Sequence, residues 1–251
     1  GQVRLEGHSF WLASSVDTDR TVVLGSAKIA SAKPKGGIHM STALTIVAVL
    51  VLIVVLSGLL WRFASKHKAM PCPSWLSLLL ENPYVEWLAG SDLLPDRAHV
   101  EPGMWVLDVG SGPGRLSLPA AARVGPAGRV VALDIQPSMI HKLNERIKER
   151  GVSNLETILG GIGEGKVPPA AFDRALLVSV LGEIPDKTRA LREIYTALKP
   201  GGILSITEVF PDPHYQTRTT VRKLAQAAGF SLVESFGNWL AFTMNFRKNE
   251  P

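Results

Sequence analysis

Hydrophobic and polar positions fall into two regimes along the chain. From Ser41 to Trp61 no residue is charged (STALTIVAVLVLIVVLSGLLW). As a helix this run rises about 31 Å, close to the roughly 30 Å hydrocarbon thickness of a bilayer. The pattern therefore predicts one transmembrane helix over 40–63, with Trp61 and Phe63 as interfacial aromatics. A cleaved signal peptide fits less well, because no small-residue cleavage site follows the run. Arg62, Lys66 and Lys68 follow it, against Lys33 and Lys35 ahead of it, which puts the domain that comes after on the cytoplasmic side. Met40 at its head is a candidate initiator, and residues 1–39 read as a tail without assigned function. Pro71-Cys72-Pro73 interrupts the helix. Ser74–Leu80 and Tyr84–Leu88 then read as short apolar helical stretches. Residues 64–100 are thus a linker with cap helices, resting on the domain or at the membrane interface.

From Met104 a regular alternation begins. Strands are expected at Met104–Val109, Arg129–Asp134, Leu155–Leu159, Phe172–Ser179, Ile203–Glu208, Leu232–Phe236 and Ala241–Phe246. Helices are expected at Arg115–Val124, Pro137–Arg150, Lys187–Leu198 and Thr219–Ala228. Strands alternating with helices imply a mainly parallel sheet covered on both faces. The fold class is α/β: a Rossmann-like three-layer sandwich over 101–251 with a seven-stranded, mostly parallel sheet. The last two strands, separated by a Gly-Asn turn, can pair as a hairpin, which predicts an antiparallel edge strand.

Charge sharpens this division. The chain carries 27 basic and 22 acidic residues in 251. Eight of the basic residues and three of the acidic ones precede position 71, so the rest is balanced. The globular part therefore has no basic face for nucleic acid. Cys72 is the single cysteine, which excludes an intrachain disulfide and a cysteine-cluster metal site; no metal site is expected.

The sharpest local feature is Val106-Leu107-Asp108-Val109-Gly110-Ser111-Gly112-Pro113-Gly114-Arg115. A buried strand runs into a glycine-rich turn and then a helix, whose first N–H groups are free to meet a ligand. At the C-terminal edge of a parallel sheet this is the expected binding place. Asp134 ends the next strand, and a carboxylate there can accept both hydroxyls of a ribose. No Gly-Lys-Ser/Thr follows, which excludes an ATP-phosphate loop. The third glycine is Gly114, where a dinucleotide fingerprint wants it at 115, and Pro113 removes an N–H that a pyrophosphate would use. This tilts the expectation away from NAD and toward a ligand without phosphates; an ordinary strand-helix turn with no ligand is the alternative.

On these residues the chain resembles the class I S-adenosylmethionine-dependent methyltransferases, and within them the small-molecule and lipid group that includes the ubiquinone/menaquinone enzymes. The resemblance covers about residues 84–251. It rests on the loop 107–114, Asp134, Phe172-Asp173 and Leu198-Lys199-Pro200-Gly201-Gly202. It implies S-adenosyl-L-methionine as cofactor, with Asp108, Gly110, Ser111, Gly112 and Gly114 around its methionine part. Asp134 would take the ribose, with Ile135 and Met139 near the adenine and Gly161, Ile162 and Ser179 completing the site. Two departures stand out. The family usually has Gly-Asp after the third strand, its Asp bonding the adenine amine; here the pair is Gly160-Gly161. The family often has a His pair after the Leu that follows the fourth strand; here Leu181 is followed by Gly182-Glu183. These departures motivate the alternative of a non-catalytic binding or assembly protein on the same fold.

Methyl transfer requires alignment, exclusion of water and, for some acceptors, a base. The candidate catalytic residues are Glu183 after the fourth strand, Glu208 at the end of the fifth and His214 in the next loop; Asp212 and Tyr215 share that loop, and His141 reads as an exposed helix residue. The connection after Glu208 is short, so the cover is expected from 74–100, with Leu76, Leu79, Leu80, Trp87, Leu93 and Leu94. The implied partners are a lipid bilayer and a small-molecule or lipid acceptor, with no nucleic acid. Cys72 precedes the fold, which disfavours a cysteine-dependent arsenic methyltransferase.

Overall fold

The computed structural model describes residues 40–67, 86 and 90–249, without the side chains of 40, 58, 59 and 61–67. The tail 1–39, Cys72, the expected helix at 74–80 and, apart from Glu86, the one at 84–88 lie outside the described residues. The chain divides into two compact units, Gly1–Ala48 and Val49–Pro251. The boundary falls inside α1, Met40–His67. Its described side chains, at 41–57 and 60, are all exposed. Among the described residues no helix is long and apolar enough to cross a membrane. The expected helix is present, but the spanning role assigned to it is not supported.

The globular unit runs α2 (Leu93–Arg97), β1 (Trp105–Val109), α3 (Ser117–Val124), β2 (Arg129–Asp134), α4 (Pro137–Arg150), β3 (Leu155–Leu159), β4 (Phe172–Val178), α5 (Lys187–Ala197), β5 (Leu198–Val209), α6 (Arg218–Ala227), β6 (Phe230–Gly237) and β7 (Ala241–Lys248). The seven strands form one mixed sheet in the order β3-β2-β1-β4-β5-β7-β6. β3, β2, β1, β4 and β5 pair in parallel; β7 is antiparallel to both β5 and β6. The antiparallel strand therefore sits inside the sheet, which corrects the expectation of an antiparallel edge. Burial gives the reason. Residues Ala241–Phe246 of β7 are buried without interruption, whereas β6 alternates buried or half-buried with exposed positions and suits an edge.

Successive strand residues point to opposite faces, and two apolar clusters result. Leu107, Val109, Leu133 and Leu177 pack with Leu191, Ile194 and Val221 from α5 and α6. Val106, Val130, Ala132 and Leu176 pack with Leu118, Val124, Leu143 and also Leu94. Leu94 is thus core beneath the sheet rather than part of a lid, while Leu93 is exposed. β5 begins at Leu198, earlier than its sequence pattern suggests, because Leu198 already pairs with Phe172. Asp173 fastens this corner, accepting from the Trp105 N–H at 2.8 Å and the Lys199 ammonium at 2.8 Å.

Candidate cofactor and acceptor site

β1 and β2 lie side by side, with Val109 opposite Leu133. The glycine loop is drawn onto the end of β2 by Gly110 and Ser111, whose N–H groups donate to the Leu133 carbonyl at 2.7 and 3.1 Å. Gly110 has φ +70°, and a Cβ there would stand 2.4 Å from Val180 Cγ2. Only glycine fits, because the backbone is left-handed and in close contact at once. At Gly112 nothing lies within 4 Å of where a Cβ would be, so the middle of the loop faces open space.

The acid of β2 closes the arrangement. Asp134 accepts from the Gly112 N–H at 2.8 Å and from the Gln136 N–H at 2.8 Å. Burial raises its carboxyl above the usual range, and these two amides with that of Ile135 pull the other way. Each oxygen keeps a lone pair for a ligand hydroxyl. Asp108 is buried and accepts from Ser117 Oγ at 2.5 Å. Burial pushes it up to about 6, against the Ser117 hydrogen bond and the Arg115 charge. Ser111 Oγ is buried without a protein partner. A buried hydroxyl in want of a partner, open space over Gly112 and an anchored carboxylate together fit a nucleoside cofactor without phosphates.

The remaining expected cofactor residues divide. Ile135 is 53% exposed beside Asp134 and offers an apolar wall. Met139 is buried on the inner face of α4. Ser179 takes φ +54° and donates to the Thr207 carbonyl at 2.8 Å, ending β4. Ile162 is partly buried against the core. Gly161 lies in a loop held by Glu193, which accepts from the N–H groups of Gly163 and Val167.

Glu183, Glu208 and His214 are brought together by the loops after β4 and β5. Glu208 is buried; Oε2 accepts from the Gln216 N–H at 2.9 Å, and Oε1 has no protein partner. Burial pushes its carboxyl up to about 8, with Asp212 and Glu183 adding and the Gln216 amide and Lys187 opposing. The His214 N–H donates to Asp212 Oδ1 at 2.7 Å, and its carbonyl accepts from Gln216 Nε2 at 2.7 Å. A Cβ at Gly182 would stand 1.9 Å from that carbonyl, so the glycine is what lets the two loops meet.

Sequence reasoning missed three groups. Gln216 and Lys187 are polar residues beside helix starts and carry no motif. The third is a buried seam of Ser205, Thr207, Thr243 and Asn245 on β5 and β7, to which Arg97 adds a bond to Thr243 Oγ1 at 3.2 Å. Polar residues two apart in both strands were the available signal for it. Beside the glutamate, Phe210 and Trp239 are 39% and 69% exposed, with ring centroids 5.8 Å apart. Tyr215 Oη donates to the Trp239 carbonyl at 2.9 Å.

A parallel sheet whose first strand feeds a glycine loop, tied to an acid at the end of the second, defines a nucleoside-binding domain of the methyltransferase type. The methyltransferase domain family matches residues 100–239, more than half the chain, and the chain belongs to it: this is a class I S-adenosylmethionine-dependent methyltransferase domain. The chain is 37% identical over 120 residues to an arsenite methyltransferase of Halobacterium salinarum, covering 46% of this chain and 31% of the relative. It is 38% identical over 106 residues to a demethylmenaquinone methyltransferase of Listeria welshimeri, covering 42% and 45%. It therefore spans less than half the length of either curated relative. The crystal structure of a SAM dependent methyltransferase from Aquifex aeolicus has the same fold, with a TM-score of 0.66 and 21% identity over 70% of this chain and 99% of that one.

Proposed function

We propose that the protein moves a methyl group from S-adenosylmethionine to a small, lipophilic or membrane-associated acceptor by direct displacement at the methyl carbon. The bond between Gly112 and Asp134 carries the reading, because it couples the glycine loop to the carboxylate that would hold the sugar. When bound, the cofactor supplies a methyl group on a sulfonium leaving group, so the chain has to align, desolvate and manage a proton. Gly110–Gly114 and Asp134 bind the nucleoside, and Ser111 Oγ gains a partner. Glu208 receives the proton that the acceptor's O–H, N–H or activated C–H releases, onto its unpartnered Oε1. Glu183 and His214 flank it.

Two observations support a lipophilic acceptor. The Phe210–Tyr215–Trp239 aromatics stand next to Glu208, and every described side chain of α1 is exposed and largely apolar, which suits contact with a lipid bilayer. The single cysteine supports a quinone- or lipid-like acceptor over a thiolate-bound metalloid.

The test is radiolabelled methyl transfer into a total lipid and small-molecule extract, followed by identification of the product. A labelled lipophilic product that depends on Asp134 is expected. Label only in water-soluble products would overturn the acceptor class, and no label at all would overturn the activity.

A further inference from the structure

The end of β5 and the loop after it gather acidic and aromatic groups on one side of the sheet. Glu208 stands opposite Phe242 of β7, and the Phe210 N–H donates to the Leu240 carbonyl at 2.6 Å, which carries the pairing past the end of β5. Phe210, two residues on from Glu208, therefore faces the same way. Tyr215 folds back across both, its ring centroid 6.3 Å from that of Phe210 and 5.9 Å from that of Phe242, each edge to face. The Glu208 charge reaches Tyr215, where it adds to burial in pushing the phenol up. Trp239 adjoins Phe210, and both rings keep exposed surface. Glu208 is only 1% exposed, so its Oε1 is a buried acceptor without a protein partner beside aromatic rings that are open at the rim.

Charge around that oxygen is unbalanced. Asp212, Glu183 and Lys187 are the charges that act on Glu208 among the described residues. Three carboxyl groups thus share one ammonium, and Lys187 Nζ already donates to the Ile184 carbonyl at 2.7 Å. Arg218, whose charge reaches Tyr215, lies over the Phe242 ring at 4.8 Å and donates to the carbonyls of Phe236 and Gly237. His214 borders the group through its backbone N–H, which donates to Asp212. The cluster relieves itself by keeping a proton: burial first, then Asp212 and Glu183, push Glu208 up to about 8, against the Gln216 amide and Lys187.

We infer that the acceptor is an amine on an apolar body, its ammonium drawn to Glu208 Oε1 beside Asp212 and Glu183 and against the rings of Phe210, Tyr215 and Trp239. This rests on the methyltransferase reading and names its acceptor class. An ammonium brings what the site lacks: N–H donors for Oε1, and a positive charge that carboxylates and ring faces both attract. A phenol or alcohol brings a donor without the charge, and a carboxylate or phosphate is repelled. As the ammonium enters, Glu208 gives its own proton to solvent. The ammonium then passes one proton to Oε1, the nitrogen lone pair forms the N–C bond, and the C–S bond breaks with its electron pair going to sulfur. The positive charge of the sulfonium ends on the methylated nitrogen, still among the carboxylates.

Calorimetric titration in the presence of S-adenosylhomocysteine, with octylamine, 1-octanol and octanoate as probes, reads this without turnover. Octylamine should bind about tenfold or more tighter than 1-octanol, the worth of one charge-assisted contact, and octanoate more weakly than either. Octylamine titrations near pH 7 in buffers of different ionisation enthalpy should show release of about one proton, the one Glu208 holds in the free protein. Glu208→Gln should bring the amine-to-alcohol ratio close to one and abolish the release, while affinity for S-adenosylhomocysteine, which reports on folding, holds. Glu208→Asp keeps a carboxylate and should retain part of the preference, a rescue that a merely structural role would not give. Equal binding of amine and alcohol, amine binding without proton release, or a preference that survives Glu208→Gln overturns the amine assignment and leaves the methyltransferase reading standing. Failure of the wild-type protein to bind S-adenosylhomocysteine overturns both.

Discussion

The Gly112 amide and the Asp134 carboxylate meet at 2.8 Å, so the glycine loop and the acid that ends β2 form one unit across 22 residues of chain. Removing the carboxylate costs the ligand its acceptor and the loop its tether. Asp134→Ala should weaken S-adenosylhomocysteine binding by about a hundredfold, the worth of two charge-assisted hydrogen bonds. Calorimetry reads the effect; an affinity within about threefold of wild type would contradict it.

Glu208 gives a pH signature. Its folded-state value near 8 lies above the ordinary 4.5. The folded protein therefore holds a proton that the unfolded chain releases, and stability falls as pH rises from about 4.5 to 8. Glu208→Gln removes that titration and places an amide where Oε1 has no partner. The variant should match wild type near pH 5 and melt higher at pH 9, by on the order of 5 °C. A gap that shrinks as pH rises would refute the burial argument. If Glu208 receives the acceptor's proton, wild-type turnover rises toward pH 8 and the variant loses it.

The contact between Gly182 and His214 predicts a split between binding and turnover. Gly182→Ala would force the His214 carbonyl aside and lift the loop after β5. Cofactor affinity should hold within about twofold, while turnover drops tenfold or more, since about 1 Å of misplacement is costly. Parallel calorimetry and methyl-transfer assays separate the two, and an equal loss in both would count against the arrangement.

Phe210 and Trp239 test the acceptor class. The double change Phe210→Ala/Trp239→Ala removes both exposed rings and leaves Glu208 and the glycine loop in place. KM for a lipophilic acceptor should rise about tenfold, as expected for losing apolar burial of two aromatic rings, with affinity for S-adenosylhomocysteine kept. An unaltered KM in steady-state assays would remove these residues from the acceptor path.

What was legible in the chain was what neighbours in sequence decide. The run from Val106 to Gly114 reads directly because strand, turn and helix start are contiguous, and Asp134 reads because it ends the adjacent apolar strand. The helix expected over 40–63 was equally plain from the uncharged run 41–61, but whether it crosses a bilayer is not a property of helicity alone. The expected antiparallel edge erred for a related reason: a hairpin signal says that β6 and β7 pair, and says nothing about which of them joins β5. The unbroken burial of Ala241–Phe246 decides that, and burial belongs to the packed sheet.

The amino-acid order by itself determined the α/β alternation, the glycine loop and the acid that follows it, because each rests on local backbone preference and on hydrophobic period. Only the tertiary structure decided that Glu164 reaches into the space beside Gly161, that His214 closes over Gly182, and that one oxygen of Glu208 is buried without a partner. Those are distances across space between loops that leave different strands, and they are set when the strands find their order in the sheet.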